Sequence, residues 1–209
     1  MVYKDLRANI VEESIVEPPI NVRYPRVENL FPLREAIKYK GVPEEINNTI
    51  KRQVQHLMQE NGAYNEDLLE MEGTYKITLN KRRALSIRLE NFSFIAMQAN
   101  PRTIVRGLTF SLKTGKTRTI ADLFRNRSNY RLIISSEIKR QIVAEEIPTI
   151  KEFQRINDDQ EFYLTEKALV VFFQRATLAP GVAGIVEFPI PYKLLTNVID
   201  EEGILAEII

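Results

Sequence analysis

GTYKITLNKRRALSIRLE, residues 73–90, is the stretch that decides the fold. Apolar and polar residues alternate on either side of a charged centre, which is residues 81–83. The alternating apolar residues are Tyr75, Ile77 and Leu79 before the centre and Leu85, Ile87 and Leu89 after it. A period of two is typical of a strand with one buried face. The stretch therefore predicts a β-hairpin with a tight, charged turn.

The chain after the hairpin continues the strand pattern with one interruption. At Asn91 the phase of the alternation changes, because Phe92 and Phe94 occupy the other parity. A bulge or a twist would produce such a change. A third strand follows and ends in a turn at residues 114–115. Its apolar residues in register are Ile104, Leu108, Phe110 and Leu112.

Upstream of the hairpin, residues 43–60 have the features of an amphipathic helix. Pro43 suits the first turn, and the two glutamates after it favour the positive end of the helix dipole. Asn61-Gly62 is a typical C-terminal stop. The apolar residues at helical spacing are Ile46, Ile50, Val54 and Leu57.

The first 27 residues are predicted to be extended. Ile20, Val22 and Tyr24 alternate with polar residues, as in a half-buried strand. The prolines that bracket this strand are Pro18, Pro19 and Pro25. Proline cannot donate a ladder hydrogen bond, which favours an edge strand or a strand end.

From residue 119 the pattern is helical and then extended again. Thr119 and Asp122 form a capping-box pattern, so we interpret Asp122 as a cap of a short helix rather than a catalytic acid. A longer helix begins near Ser128; its predicted buried stripe is Tyr130, Ile134, Ile138 and Ile142. Strands are predicted at residues 162–164, 168–173 and 185–190, and a last helix at 191–198. Residues 168–173 are apolar on both parities, as in a strand covered on both faces.

The predicted order of elements is ββαβββαβββα. Hairpin strands with two main helices give an α+β fold, in which the helices pack on antiparallel sheets. A length of 209 residues fits one large domain or two small ones. We divide the chain into an N-terminal α+β half, residues 1–98, and a C-terminal α+β half, residues 99–209, packed together as one unit.

The composition excludes several kinds of chemistry. The chain has no cysteine, which excludes disulfides, thiolate zinc sites, iron–sulfur clusters and cysteine nucleophiles. The longest apolar run, residues 168–173, is far shorter than the roughly 20 residues of a membrane helix. No signal peptide is visible at the N-terminus. Two compartments stay open: the cytoplasm, or an extracytoplasmic location after removal of a leader.

Positive charge is concentrated in the middle of the chain. Residues 81–140 contain fourteen Lys and Arg and three Asp and Glu, although the whole chain has a net charge of only +1. The candidate binding residues there are Arg102, Arg106, Lys113, Lys116 and Arg118. They form either a patch for an anionic polymer or acidic protein, or outward strand faces paired with acidic helices. No motif for nucleic acid is present, so nucleic acid is not an expected partner.

Other candidate chemistry is weak. His56 is the only histidine and falls off the apolar helix face, so we expect it on the surface, with no catalytic triad and no histidine metal site. Residues 114–117, TGKT, lack the earlier glycine of a phosphate loop. The acidic groups at 158–159 and 200–202 match no calcium or glycosidase spacing. No cofactor and no metal are expected.

Several short segments, in order, carry a family resemblance. They are LKTGK at 112–116, IADLF at 120–124, FYLT at 162–165, VVFF at 170–173, LAPGVAG at 178–184 and FPIPY at 188–192. Together they resemble the sensor domain of RsiV-type anti-sigma factors, which is similar to the C-terminal region of PdaC-type polysaccharide deacetylases. Tyr24-Pro25 and Ile46-Asn47 extend the resemblance to about residues 15–200.

The resemblance implies a non-enzymatic module that binds a ligand or protein in the bacterial cell envelope. Two alternatives stay open: a cytoplasmic stand-alone interaction protein, and a cell-wall hydrolase that uses carboxylates. The implied site is the family's central loop, which has glycines and a histidine. Here that loop is residues 97–101, MQANP, so it has lost the glycines and has Asn100 where the histidine is expected. Its candidate binding residues are Met97, Gln98 and Asn100.

In the anti-sigma branch of the resembled family the partner is lysozyme. Common lysozymes are strongly basic, and an acidic docking face would attract them. The aligned segment here is the basic one, so we expect no tight binding of a basic lysozyme through it. An unknown protein, or an anionic or neutral envelope ligand, is the partner that its charge favours.

Overall fold

The computed structural model describes residues 5–32 and 37–209. Contacts within the chain divide it into two compact units, residues 1–117 and residues 118–209, here called the first unit and the second unit. The order of strands and main helices is the predicted one, and the α+β class is confirmed. The predicted extended start includes residues 1–4, which lie outside the described residues.

The first unit is a five-stranded sheet with a long helix. The elements are β1 (Arg7–Glu17), β2 (Ile20–Phe31), α1 (Val42–Glu60), β3 (Leu68–Lys81), β4 (Ala84–Ile95) and β5 (Arg102–Ser111). The strand order in the sheet is β1-β2-β3-β4-β5. Neighbouring strands are antiparallel except β2 and β3, which run parallel over a short stretch. The helix α1 lies in the crossover connection that a parallel pair requires.

The helix α1 packs its predicted apolar stripe into the core of the sheet. Its buried residues are Val42, Ile46, Thr49, Ile50, Val54 and Leu57. All of them except Thr49 belong to one apolar cluster with sheet residues such as Met71, Leu89 and Phe110. The predicted face and the predicted bounds, residues 43–60, are therefore confirmed. Burial of this face stabilises the helix more than its intrinsic propensity does.

The predicted stop of α1 at Gly62 is confirmed. Gly62 has a φ of +91°, a left-handed conformation that glycine adopts without steric cost. The backbone N–H of Ala63 donates to the carbonyl of Met58 at 2.9 Å, and that of Gly62 donates to Gln59 at 3.1 Å. This pair of bonds is a Schellman motif, which satisfies carbonyls left over at the helix end.

The predicted charged turn between β3 and β4 is confirmed as well. Arg82 and Arg83 have positive φ values of 49° and 66°. Two successive positive φ angles define a type I′ turn, whose twist matches that of a hairpin. The backbone of Arg83 also donates to Leu6 at 3.0 Å and accepts from Leu112 at 2.8 Å. These bonds hold two non-glycine residues in a conformation that glycine or asparagine more often adopts.

The predicted interruption of β4 at Asn91 is wrong. The pairing of β4 with β5 is continuous, and alternate residues from Leu85 to Ile95 remain buried. Asn91 and Ser93 occupy positions on the core face and are about 1% exposed. The apolar pattern changes phase because the polar residues Asn91 and Ser93 lie on the buried face, whereas Phe92 and Phe94 lie on the opposite face.

The irregularity that the pattern indicated lies in the partner strand. The register of β3 against β4 shifts between Ile77 and Leu79. Leu79 therefore pairs with Ser86 and leaves the face that Tyr75 and Ile77 share, contrary to the predicted common face. An extra residue in one strand causes such a reversal, because the side-chain period is two.

Pro25 does not end the second strand as predicted; β2 continues through it to Phe31. The parallel bridge from β2 to β3 covers only Ile20 to Val22, so Pro25 lies beyond it and has no β3 partner. At the bridge, Val22 faces Gly73 so closely that a Cβ on Gly73 would lie 2.4 Å from a methyl of Val22. The glycine permits the approach of the two strands.

The second unit is a small antiparallel sheet with one long and one short helix. The elements are α2 (Tyr130–Ala144), β6 (Phe162–Leu164), β7 (Ala168–Phe173), β8 (Val186–Pro191) and α3 (Ile204–Ile208). The strand order is β6-β7-β8. On α2 the predicted stripe is buried at Tyr130, Ile134 and Ile138 and half-buried at Ile142. The predicted covering of β7 on both faces is confirmed.

Two local predictions in this unit have different outcomes. The capping box is confirmed: Thr119 donates its backbone N–H to Asp122 at 2.8 Å, and the Asp122 N–H returns to the Thr119 hydroxyl at 3.4 Å. The predicted helix at residues 191–198 is wrong, since only a 3₁₀ turn forms at Tyr192–Leu194. The backbone after it forms isolated turn bonds and then pairs with residues 123–125, where Arg125 donates to Val198 at 2.9 Å and Asp200 donates to Leu123 at 3.2 Å.

The boundary between the two units lies after the end of β5. We predicted a division at 98/99, before this strand, whereas the contacts divide the chain after Thr117. The two boundaries differ because β5 pairs with β4 along its whole length. The division into domains, and their packing as one unit, stay predictions.

Candidate functional site

The predicted binding loop, residues 97–101, is an exposed turn between β4 and β5. Met97 has a φ of +65° and is fully exposed, and Gln98 and Asn100 are exposed beside it. The N–H of Ala96 donates to the carbonyl of Asp67 at 2.9 Å, which fixes the loop against the segment after α1. The glycines of the family's loop are absent, and a left-handed residue is nevertheless required at Met97.

The loop is not surrounded by positive charge alone. The segment that holds it contributes the exposed acidic residues Glu66, Asp67 and Glu70. Arg102 is exposed at the start of β5, opposite Ser93. The charge of the linear segment 81–140 therefore overstates the positive charge at this end of the sheet. The expectation about basic lysozymes rested on that charge and stays a prediction.

Arg106 belongs to a charge pair with the helix. Its guanidinium lies 2.5 Å from the carboxylate of Glu60 at the end of α1, and its side chain is 20% exposed. It also donates to the carbonyl of Val105 at 3.1 Å. This is the second of the two alternatives for the basic stretch, in which strand charges pair with acidic helix residues.

The five basic candidates do not meet in one place. Arg102 begins β5 beside the loop and Arg106 lies in the middle of the strand, whereas Lys113 and Lys116 lie beyond its other end. A strand rises about 3.3 Å per residue, so the two ends of β5 are about 30 Å apart. Arg118 belongs to the second unit. The structure thus places Arg102 next to the loop, Arg106 about 13 Å further along β5, and Lys113 and Lys116 beyond the far end of the strand.

Beneath the loop lies a small group of buried polar side chains. The amide nitrogen of Asn61 donates to the side-chain oxygen of Asn91 at 2.7 Å and to its carbonyl at 3.0 Å. Asn61 Oδ1, Asn91 Nδ2 and Ser93 Oγ are buried without a partner among the described residues. Ordered water usually satisfies such groups.

A concave site that the sequence did not predict lies in the second unit. Its volume is about 500 Å³, within the range of small-ligand sites. Its lining residues are Lys151, Glu152, Phe153, Gln154, Arg155, Asn157, Asp159, Gln160, Glu161, Phe172, Phe173, Gln174, Thr177 and Leu178. We call it the 151–178 pocket.

Aromatic contacts fix the apolar part of the 151–178 pocket. Phe173 at the end of β7 is half-buried and makes edge-to-face contacts with Phe153 and Phe188, at centroid distances of 5.7 and 5.8 Å. Such contacts contribute beyond the area that they bury. The Phe173 ring is therefore held rigidly where it lines the pocket.

One wall of the pocket is an extended segment, residues 151–155, that belongs to no strand. It is attached at both ends: Ile150 donates its N–H to Leu178 at 2.9 Å, and Ile156 donates to the Ser135 hydroxyl at 3.1 Å. Within the second unit, the main-chain N–H and C=O groups of residues 151–155 form no hydrogen bond.

Six polar side chains of the lining also have no partner within residues 118–209. They are Lys151, Glu152, Gln154, Arg155, Asn157 and Asp159. All six are exposed, so their polar groups are hydrated in the absence of a ligand. By contrast, Gln160 donates to the carbonyl of Phe172 at 2.8 Å and supports the wall. The pocket thus offers donors, acceptors, both charges and a fixed ring.

Sequence reasoning missed this pocket because residues 151–161 have no periodic pattern. The acidic pair at 158–159 matched no calcium or glycosidase spacing, and its member Asp159 is an exposed residue of the pocket lining. The available signal was the spacing of Phe153 and Ile156, two apolar residues in a polar loop. Both are buried and anchor the segment.

The described residues contain no group of three or more His, Cys, Asp or Glu side chains placed to hold a metal ion. His56 is exposed on α1, with Nδ1 3.8 Å from Glu60, as predicted for a surface histidine. In the part of the chain that the structure describes, no helix is both long and apolar enough to span a bilayer.

Residues 121–193 match the family described as "Protein of unknown function (DUF3298)". Over 184 residues, 80% of this chain, the sequence is 27% identical to "Anti-sigma-V factor RsiV" of Bacillus subtilis (strain 168). The resemblance to the RsiV-like family is confirmed. The chain spans 63% of the length of that relative.

Two crystal structures resemble this chain in fold. A DUF3298 family protein from Pseudomonas aeruginosa PAO1 has a TM-score of 0.64 at 11% identity, covering 93% of this chain and 94% of its own. A DUF3298 family member from Bacteroides fragilis NCTC 9343 has a TM-score of 0.57 at 12% identity, covering 97% and 96%. At these identities the likeness shows the fold alone.

The match to the DUF3298 family and the pocket coincide in the chain. Every residue that lines the 151–178 pocket falls within the matched residues 121–193. The loop at 97–101 and the basic candidates up to Arg118 lie before the matched segment.

Proposed function

We propose that this chain is a non-enzymatic binding module of the bacterial cell envelope and that the 151–178 pocket is its ligand site. The observation that supports the proposal is the pocket itself, in which six unpaired polar side chains surround a fixed phenylalanine. Concave sites with an apolar part and a few convergent polar groups are the usual form of a ligand site.

The similarity to the anti-sigma factor RsiV supports a function without catalysis. That relative is named as an anti-sigma factor, a class of proteins defined by binding, which favours a non-enzymatic role. The cell-envelope location and the identity of the ligand rest on the family resemblance and on the chemistry of the pocket.

The test is a binding measurement on the purified full chain. A suspension of purified bacterial cell-wall sacculi is the probe, and co-sedimentation is the readout. We expect the chain to sediment with the sacculi, and the variant F173L/Q154A to remain in solution. Q55A is the matched control, because Gln55 is exposed on α1 in the first unit. Equal sedimentation of all three proteins, or none of the native chain, would contradict the proposal.

A second candidate function is hydrolysis of the cell wall through carboxylates. The observation that favours it is that Glu152, Asp159 and Glu161 all line the pocket. Glycoside hydrolysis needs two carboxyl groups about 5–10 Å apart across the scissile bond. The two functions are separated by incubating the chain with sacculi and analysing soluble fragments by mass spectrometry.

We expect no soluble fragments above the level released by a heat-denatured sample. Release that is lost in both E152Q and D159N, and retained in the exposed-residue control E66Q, would establish the hydrolase instead. The controls are matched, since each exchange replaces a carboxylate with its isosteric amide.

A further inference from the structure

We infer that the 151–178 pocket binds a short, uncharged saccharide, a ligand class that deepens the function proposed above and rests on it. Three features carry this inference: the balance of charge, the mixture of donors and acceptors, and the rigid aromatic ring. Each restricts the ligand in a different way.

The charge of the lining disfavours strongly charged ligands. Two basic residues, Lys151 and Arg155, stand against three acidic ones, Glu152, Asp159 and Glu161. A polyanion would bring like charge to the three carboxylates, and a cation would meet the two basic groups. A site for a phosphate or a polyamine normally carries an excess of the opposite sign. The balanced lining suits a neutral, polar molecule.

The polar groups of the lining include both hydrogen-bond donors and hydrogen-bond acceptors. Gln154 and Asn157 each carry a carboxamide, which donates and accepts. The main chain of residues 151–155 adds N–H and C=O groups that have no partner within the second unit. A sugar hydroxyl is likewise both donor and acceptor, so it can pair with either kind of group. Few other neutral molecules satisfy so many groups of both kinds.

The ring of Phe173 supplies the apolar part. A pyranose has a face of C–H groups that packs on an aromatic ring while its hydroxyls point to the sides. Phe173 is held by Phe153 and Phe188, so it loses little conformational freedom when a ligand packs on it. A volume of about 500 Å³ accommodates a ligand of a few rings and not a long polymer.

An extended peptide is the competing ligand, because it also pairs with free main-chain groups. Peptide addition, however, uses a regular strand edge with evenly spaced hydrogen bonds. Residues 151–155 belong to no strand, and the segment is attached to two different partners, Leu178 through Ile150 and Ser135 through Ile156. The geometry therefore favours the saccharide over the peptide.

The test is a titration of the ¹⁵N-labelled full chain, followed by amide chemical shifts, with four probes. The uncharged trisaccharides are maltotriose and N,N′,N″-triacetylchitotriose, and the other probes are trigalacturonic acid and trialanine. We expect at least one uncharged trisaccharide to shift the amides of residues 151–161 in a saturable manner. In Q154A/N157A its Kd should rise about tenfold, since two hydrogen bonds are lost. Q55A should leave the Kd unchanged.

The outcomes are distinguishable. No saturable shift with either uncharged trisaccharide overturns the inference, as does a Kd that Q154A/N157A leaves unchanged. Saturable binding of trigalacturonic acid or trialanine alone overturns the inference and leaves the proposed binding function standing. Cleavage of a trisaccharide during the titration, visible as new sugar resonances, overturns the proposed non-enzymatic function. Thermal melts of each variant separate lost binding from lost folding.

Discussion

The strands of the first unit have 10 to 14 residues, whereas those of the second have three or six. Long strands satisfy most of their backbone groups in the ladder and present one continuous apolar face to α1. Short strands leave more of the chain in connecting segments, which must be held by individual side-chain contacts. Phe153, Ser135 and Gln160 do this in the second unit. Segments held in this way keep free polar groups, and ligand sites use such segments.

The largest expected effect on stability comes from removing one aromatic ring, and it should differ between the cores of the two units. Phe110 is fully buried in the first core, so F110A should lower the free energy of unfolding by about 3–5 kcal/mol. F173A should cost less, because Phe173 is half-buried and its removal leaves a gap open to water. The measurement is amide hydrogen exchange at increasing urea concentrations, which gives the free energy of unfolding of each unit in both variants. Equal losses of unfolding free energy in F110A and F173A would contradict this difference between the two cores.

The sequence predicted the long elements better than the connections, and the two units show why. Residues 43–60 and 85–89 each bury one continuous face, so burial imposes a clear period there. The pattern failed at Asn91, because a polar side chain on the buried face cannot be distinguished from a change of strand parity. The pocket wall could not be predicted, since residues 151–155 take their position from contacts with Leu178 and from the anchor at Ile156.

At the parallel bridge between β2 and β3, a single added methyl group should destabilise the sheet of the first unit. G73A places a Cβ 2.4 Å from a Val22 methyl, and overpacking of this kind costs about 1–3 kcal/mol. The effect should be recovered in part by V22A in the same chain. Thermal melts measure both variants.

Gly41 is the matched control for this glycine. It has a φ of +86° and no atom within 4 Å of an added Cβ. G41A should therefore cost about 1 kcal/mol, from backbone conformation alone, and V22A should not relieve it. Relief of both variants by V22A would contradict the steric explanation.

The buried asparagines test whether the first unit tolerates polar groups only as a pair. N61A removes the donor to Asn91 and should cost about 1–2 kcal/mol. Adding N91A should cost less than the sum of the two single changes, because the orphaned group is removed. Strict additivity in urea denaturation would show that the two side chains act independently.

The smallest expected effect concerns the attachment of α2 to β8. Gln141 donates to the carbonyl of Pro189 at 2.9 Å and to Glu137 at 2.9 Å. The hydrogen bond from Arg140, followed by that from Gln141, holds the pKa of Glu137 below its ordinary value of 4.5. A lowered pKa stabilises the fold fully above pH 4.5, and the contribution is lost as the pH falls below that value.

Because Arg140 is largely exposed and its charge is screened by solvent, the contribution of Glu137 should be about 0.5 kcal/mol. The variant E137Q should remove this part of the acid dependence and leave the rest of the pH profile unchanged. Chemical denaturation between pH 3 and pH 7, at about one unit per step, measures the difference. An unchanged slope in E137Q would place the acid sensitivity elsewhere.

The free main chain of residues 151–155 has a consequence for cleavage. A protease must draw an extended stretch of backbone into its own active site, and most of a folded protein has to open locally before it can do so. Here the stretch lies outside any helix or strand and has no main-chain hydrogen bond within the second unit, and trypsin cuts after Lys151 and Arg155. Limited trypsinolysis of the native chain should therefore begin in this segment. A molecule seated in the pocket would cover the same backbone, so the rate of this first cut would report occupancy without any label.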